Sequence, residues 1–178
     1  MNNTTASSED IYPLKCGYDL PVFGLKDGSF NIIHISALAS IAISLCSVVI
    51  VMVLSFSDKN RKLFFSRAKK ERFIVYLAIC DGFFNLFHGI DHLHYFIGKD
   101  HPRPKELCEL YSFGQMIFVN AQHLLVNIVA INVYMMMYFN KNLNFGRLDW
   151  KLLVWAFGVP LLAQIGAVLG GQLGPNGT

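Results

Sequence analysis

Residues 32–56 read IIHISALASIAISLCSVVIVMVLSF, a stretch without a single charge. As a helix it is about 37 Å long at ~1.5 Å per residue, more than the roughly 30 Å of a bilayer's hydrocarbon core. A helix on the surface of a soluble protein shows a polar face. Here only His34, scattered serines and Cys46 interrupt the apolar run, so the stretch reads as a membrane span. Working outward, Trp150 to Leu173 is equally apolar, with Lys151 at its edge and Gln164 and Gln172 as its strong polar interruptions. Phe73 to Ile97 is apolar but holds Asp81, Asp91 and three histidines. Leu110 to Phe139 is apolar but holds Asn120, Gln122, His123, Asn127 and Asn132. The last two can span only if their polar faces look into a bundle.

The sequence therefore predicts an all-α, polytopic transmembrane helical bundle. Its spans are 31–57, 73–98, 108–139 and 151–173, after a tail at 1–30. Connectors lie at 58–72, 99–107 and 140–150, and 174–178 begin a further loop. Composition agrees. Of 178 residues 53% are hydrophobic and 15% charged, against about 25% charged in soluble domains. The mean hydropathy of +0.41 excludes a disordered chain, which needs low hydrophobicity and high charge. A net charge of +3 is too mild for a nucleic-acid binder.

The basic residues have an address. The first connector carries Lys59, Arg61, Lys62, Arg67, Lys69, Lys70 and Arg72, and the third carries Lys141, Arg147 and Lys151. Ten of the fifteen thus lie on one side, which the positive-inside rule assigns to the cytoplasm. Both chain ends are then expected outside the cell, in a multi-pass protein of the plasma membrane. The glycosylation triplets at Asn2, Asn3 and Asn176 all fall in those ends. The first 30 residues lack an apolar core, so no cleavable signal peptide is expected, and the first span acts as the insertion signal. Cys46 and Cys80 fall inside spans and read as small buried residues. Cys16 and Cys108 fall outside, where oxidation is permitted. Cys108 can pair with Cys16 or with a cysteine not in this chain, and both alternatives stand.

A charge near the bilayer centre costs about 2.5–3.5 kcal/mol on insertion scales. Asp81 lies nine residues beyond Arg72, roughly 14 Å into the bilayer. Asn85, His88 and His92 follow at +4, +7 and +11, within about 60° of Asp81 on a helix. Asn120, His123 and Asn127 make a second stripe in the third span. Two such stripes facing each other would line a wet interior cavity, and hydrogen bonding between helices is the plainer alternative for the asparagines. His88 and His92 also stand at the i, i+4 spacing of two zinc ligands, but no third ligand accompanies them. Neither a metal nor a cofactor is expected. Gly-rich phosphate loops, G-x-S-x-G and H-E-x-x-H are absent, so no enzyme is indicated. Gly166 and Gly170 form a G-x-x-x-G pair that permits close helix approach.

These features in order resemble a family. The basic run Arg67-Ala-Lys-Lys-Glu-Arg72 leads into Tyr76-Leu-Ala-Ile-Cys-Asp81, similar to the L-A-x-x-D start of the second helix in G-protein-coupled receptors. Cys108 opens the third span, where those receptors place the cysteine that staples this helix to the second extracellular loop. Gly158-Val-Pro160-Leu161 resembles the G-V-P of secretin-like and slime-mould cyclic-AMP-receptor-like receptors. Phe118-Val-Asn120 and Ala130-Ile-Asn-Val-Tyr134 resemble the latter group. The resemblance covers roughly residues 30–175. The D-R-Y of rhodopsin-like receptors is absent, Tyr138-Phe-Asn-Lys141 standing in its place. The first span lacks their G-N pair, and the tail is too short for a secretin-type hormone-binding domain.

The resemblance implies the first four spans of a seven-span receptor that passes an extracellular ligand signal to a heterotrimeric G protein. A fragment ending near Thr178 would not signal alone. Ligand-facing residues are then His88, Asp91, His92 and His123, with Asn120 deeper. Asp81, Asn85 and Asn127 are interior polar residues governing the switch, and the basic connector meets lipid headgroups or the transducer. The expected partners are membrane lipid, the ligand and the G protein, with no nucleic acid. A second class fits less well: a four-helix haem protein moving electrons, with axial ligands drawn from His34, His88, His92 and His123. A tetraspanin-like scaffold would need a large cysteine-rich extracellular region, which the chain lacks.

Overall fold

A computed structural model describes residues 22–25, 28–57 and 64–173. Among them every regular element is helical, and four helices are long and apolar enough to cross a membrane. They are α1 (Ser29–Phe56), α2 (Lys69–Gly98), α3 (Lys105–Phe139) and α4, which spans 150–169. The protein is an all-α bundle of four candidate spans. Lys59, Arg61, Lys62, Cys16 and the triplets at Asn2, Asn3 and Asn176 lie outside the described residues.

α1 shows why the bundle needs an apolar solvent. Ile32, Ile43 and Leu54 are 72%, 70% and 70% exposed, and only Phe30, His34 and Ile41 are buried. Its serines do not demand water. The hydroxyls of Ser36, Ser40 and Ser47 donate to the carbonyls of Ile33, Ser36 and Ile43 one turn back. α1 packs on α2, α2 on α3 and α3 on α4. Close approach uses small residues. Ile41 and Val48 of α1 lie over Gly89 and Gly82 of α2, and Phe87 of α2 lies over Gly114 of α3. The Gly166–Gly170 pair does not serve this way. Both are exposed, and a Cβ at Gly166 would meet nothing within 4 Å.

Helix α2 begins four residues before the expected 73, and α3 three before the expected 108. Lys69, Lys70 and Arg72 therefore belong to the first turn of α2, against the helix dipole. Arg72 is compensated by an ion pair with Asp149. α4 is interrupted. An α-helical turn (Trp150–Leu153) passes through a π-helical segment (Val154–Gly158) into Val159–Leu169. Pro160 has no N–H to give the carbonyl one turn back, and the wider π turn precedes it.

The core gathers at one end. Phe73, Tyr76 and Cys80 of α2 meet Ala121 and Leu125 of α3, Phe145 of the α3–α4 connector, and Leu152 and Ala156 of α4. The same end ties the start of α2 to the third connector and the first connector to the end of α1. The Lys69 ammonium donates to the Leu143 carbonyl at 2.7 Å, and the Arg67 guanidinium donates to the Ser55 carbonyl at 2.5 Å. Asn132, a polar residue of the third span, turns out to hold the chain here: its Oδ1 accepts from the Leu143 backbone N–H at 2.9 Å. This is the basic end of the bundle. The α2–α3 connector and the start of α1 form the opposite end.

Candidate functional site

The polar residues of α2 do share one face, and that face lies on α1. The Ser44 hydroxyl donates to Asp81 Oδ2 at 2.8 Å. Buried Asn85 donates from Nδ2 to Ser44 Oγ at 3.0 Å and to the Asp81 carbonyl at 2.8 Å. One serine thus joins the carboxylate and the amide across the α1–α2 interface. Its partners satisfy polar groups that hydrocarbon could not. Two turns further along, His92 Nδ1 lies 2.8 Å from His34 Nδ1 of α1. His88 sits edge-on to His92 with ring centroids 4.5 Å apart, and stacks on Phe84 at 5.4 Å. Asp91 points the other way, to Gln115 of α3 at 3.5 Å.

The α3 stripe goes elsewhere. Asn120 donates to the Met116 carbonyl of its own helix at 2.7 Å. His123 and Asn127 are exposed. The two stripes therefore do not face each other across a shared cavity: α1 occupies the α2 stripe, and the α3 stripe opens onto the bundle's outer surface. The physical reason is rotational. Phe83 and Phe87 of α2 stack on Phe118 of α3, and Gly114 admits Phe87. The aromatic face of α2 thus takes α3, and its polar face is left to α1.

Cys108 is buried near the start of α3, and a pairing with Cys16 falls outside the described residues. Of the four histidines, His34 and His92 touch directly and His88 lies against His92, whereas His123 is exposed on α3. Among the described residues no three of His, Cys, Asp and Glu are grouped to hold a metal ion.

Composition and spacing did not single out the strongest polar cluster. At the basic end Asp149 is 3% exposed. Its carboxylate accepts from Arg72 Nε at 2.6 Å, from Arg72 Nη2 at 2.9 Å and from the Tyr76 hydroxyl at 3.0 Å. Arg72 also donates to the carbonyls of Phe65 and Arg67. This two-pronged pair fastens α2, the first connector and the entry to α4. Leu148 and Asp149 take positive φ of 67° and 55°, a conformation non-glycine residues seldom adopt. The signal available in the sequence was a lone acid directly before an apolar run, opposite a basic residue at the same membrane edge.

Comparison with known protein families and with curated proteins finds no match for this chain.

Proposed function

We propose that these four helices are part of a seven-span receptor of the G-protein-coupled type, with the basic end in the cytoplasm and the histidine end outside. The observation that carries this reading is the exposed polar stripe of α3. His123 and Asn127 lie inside a candidate span yet are exposed on the four-helix bundle. Lipid is a poor solvent for an imidazole and a carboxamide, and polar residues within spans face a bundle interior or a wet cavity. The stripe therefore calls for further polar helices against α3. A ligand pocket between them would be lined by His123, Asn120 and Asn127. Asp91 and Gln115 supply polar contacts at the α2–α3 seam, and Asp81 with Asn85 and Ser44 forms an interior network able to repack. The positive-inside distribution supports the orientation, and the ordered motifs from Arg67 to Leu161 support the family.

The test is nucleotide exchange. The full-length gene product in nanodiscs, with purified heterotrimeric G proteins, should raise binding of a GTP analogue above empty nanodiscs. Asn127→Ala should lower it while leaving the amount of folded protein unchanged. Exchange equal to empty nanodiscs for every Gα class refutes the proposal.

A further inference from the structure

The histidine end of the α1–α2 interface holds more imidazole than helix packing requires. His34 Nδ1 and His92 Nδ1 are 2.8 Å apart, so one ring donates and the other accepts. In the neutral pair the donor carries its hydrogen on Nδ1 and the acceptor carries its own on Nε2. His88 adds a third ring against His92. Its buried Nδ1 has no hydrogen-bond partner among the described residues.

The groups facing this cluster are few. α1 contributes His34. α2 contributes His88, His92, Tyr95 and Asp91, the last within one turn of both His88 and His94. From the connector, His101 Nδ1 meets the Tyr95 hydroxyl at 3.1 Å, and the Asp100 carboxylate accepts from the His101 backbone N–H at 2.8 Å. α3 faces this part of α2 with Gln115 at Asp91 and with Tyr111 near His94, ring centroids 6.2 Å apart.

We propose that His34, His88 and His92 form a proton-binding site, and that its full protonation parts α1 from α2 at this end. A first proton on the Nε2 of the donor ring charges the pair and leaves its N–H···N bond intact. A second proton on the pair must take the Nδ1 lone pair of the acceptor. That removes the bond and sets two cations in contact, so the rings separate. The unpartnered Nδ1 of His88 offers another basic nitrogen beside them. Deeper in the interface, Ser44 with Asp81 and Asn85, and Ile41 and Val48 over Gly89 and Gly82, hold the helices together. Nearer the end, the Phe30–His34 and His34–Tyr95 ring contacts, both through His34, accompany the imidazole pair. Separation is therefore confined to the first turns of α1, with the serine network as its pivot.

The proposal goes beyond the receptor reading and does not depend on it, because its test needs neither ligand nor G protein. The full chain, labelled with ¹⁵N-histidine, is placed in nanodiscs and titrated from pH 8 to pH 3.5. At pH 8 a through-hydrogen-bond coupling between two histidine Nδ1 atoms is expected; it should survive the first protonation of the pair and vanish with the second. In parallel, spin labels at Ile32→Cys and Ile97→Cys, positions 72% and 73% exposed, should move apart on acidification. His34→Phe should lose that pH response. A coupling absent at pH 8 or persisting at pH 3.5, a label distance that does not change, or an equal response in His34→Phe overturns the proposal. The coupling is read on the unsubstituted chain and stands even where a variant fails to fold.

Discussion

Asp149→Asn is the most informative single substitution in the basic end. It keeps the size of the side chain and suits the positive φ of 55°, which Asn tolerates better than most residues. It removes the charge that answers Arg72. Both side chains are well buried, 12% exposed for Arg72 and 4% for Asp149, so solvent cannot replace the lost partner. Breaking one side of a buried ion pair costs about 3–5 kcal/mol. Arg72 keeps the carbonyls of Phe65 and Arg67, which places the expected loss at the lower end, about 3 kcal/mol. For a chain of this size that corresponds to a fall in melting temperature on the order of 10 °C. Arg72→Met alone should also destabilise, because it leaves the Asp149 carboxylate with Tyr76 as its remaining side-chain donor. The double variant should lose much less than the sum, since replacing both partners of a buried pair is often nearly neutral. A coupling of about 2–3 kcal/mol is expected. The assay is thermal unfolding in mild detergent followed by near-ultraviolet circular dichroism. A loss below about 1 kcal/mol for Asp149→Asn, or additivity within about 0.5 kcal/mol, would refute the reasoning.

Gly114→Ala should loosen the α2–α3 seam, because the new Cβ would lie 2.7 Å from the Phe87 ring. A loss of about 1–3 kcal/mol in thermal unfolding is expected, and Phe87→Leu in the same chain should restore part of it. Ser44→Ala removes the donor to Asp81 and the acceptor for Asn85. It should cost about 1–3 kcal/mol, more than Ser40→Ala, whose hydroxyl bonds only to its own helix. Asn132→Ala frees the Leu143 N–H. It should speed proteolysis of the α3–α4 connector without changing the helix content read by far-ultraviolet circular dichroism.

The apolar runs made the fold legible because lipid imposes one dominant rule: a long uncharged stretch must be helical. Residues 32–56 and the fourth span announced themselves by that rule alone. The α2 stripe was also legible, since Asp81, Asn85, His88 and His92 share a face by periodicity and the structure keeps them together. What periodicity could not say was which helix would meet that face. That choice rests on Gly82 and Gly89, which let α1 approach, and on Phe83 and Phe87, which seat α3 on the adjacent face. The G-x-x-x-G pair at Gly166 is left uncovered among the described residues, because small residues permit contact but do not compel it. Asp149 escaped notice because its worth depends on Arg72, far away in sequence, and on a connector folded back by Asn132. α2 and α3 start earlier than expected because ion-paired and interfacial residues can continue a helix beyond the hydrocarbon edge.

We propose that the four-span bundle lies across a membrane with its basic end inside the cell. Single cysteines at Lys99 and Lys141, both exposed and in successive connectors, test it directly when the chain is expressed in cells and treated with a membrane-impermeant maleimide. Labelling is expected at Lys99→Cys in intact cells, and at Lys141→Cys only after permeabilisation. Labelling of Lys141→Cys in intact cells, or the same accessibility at both positions, would contradict it.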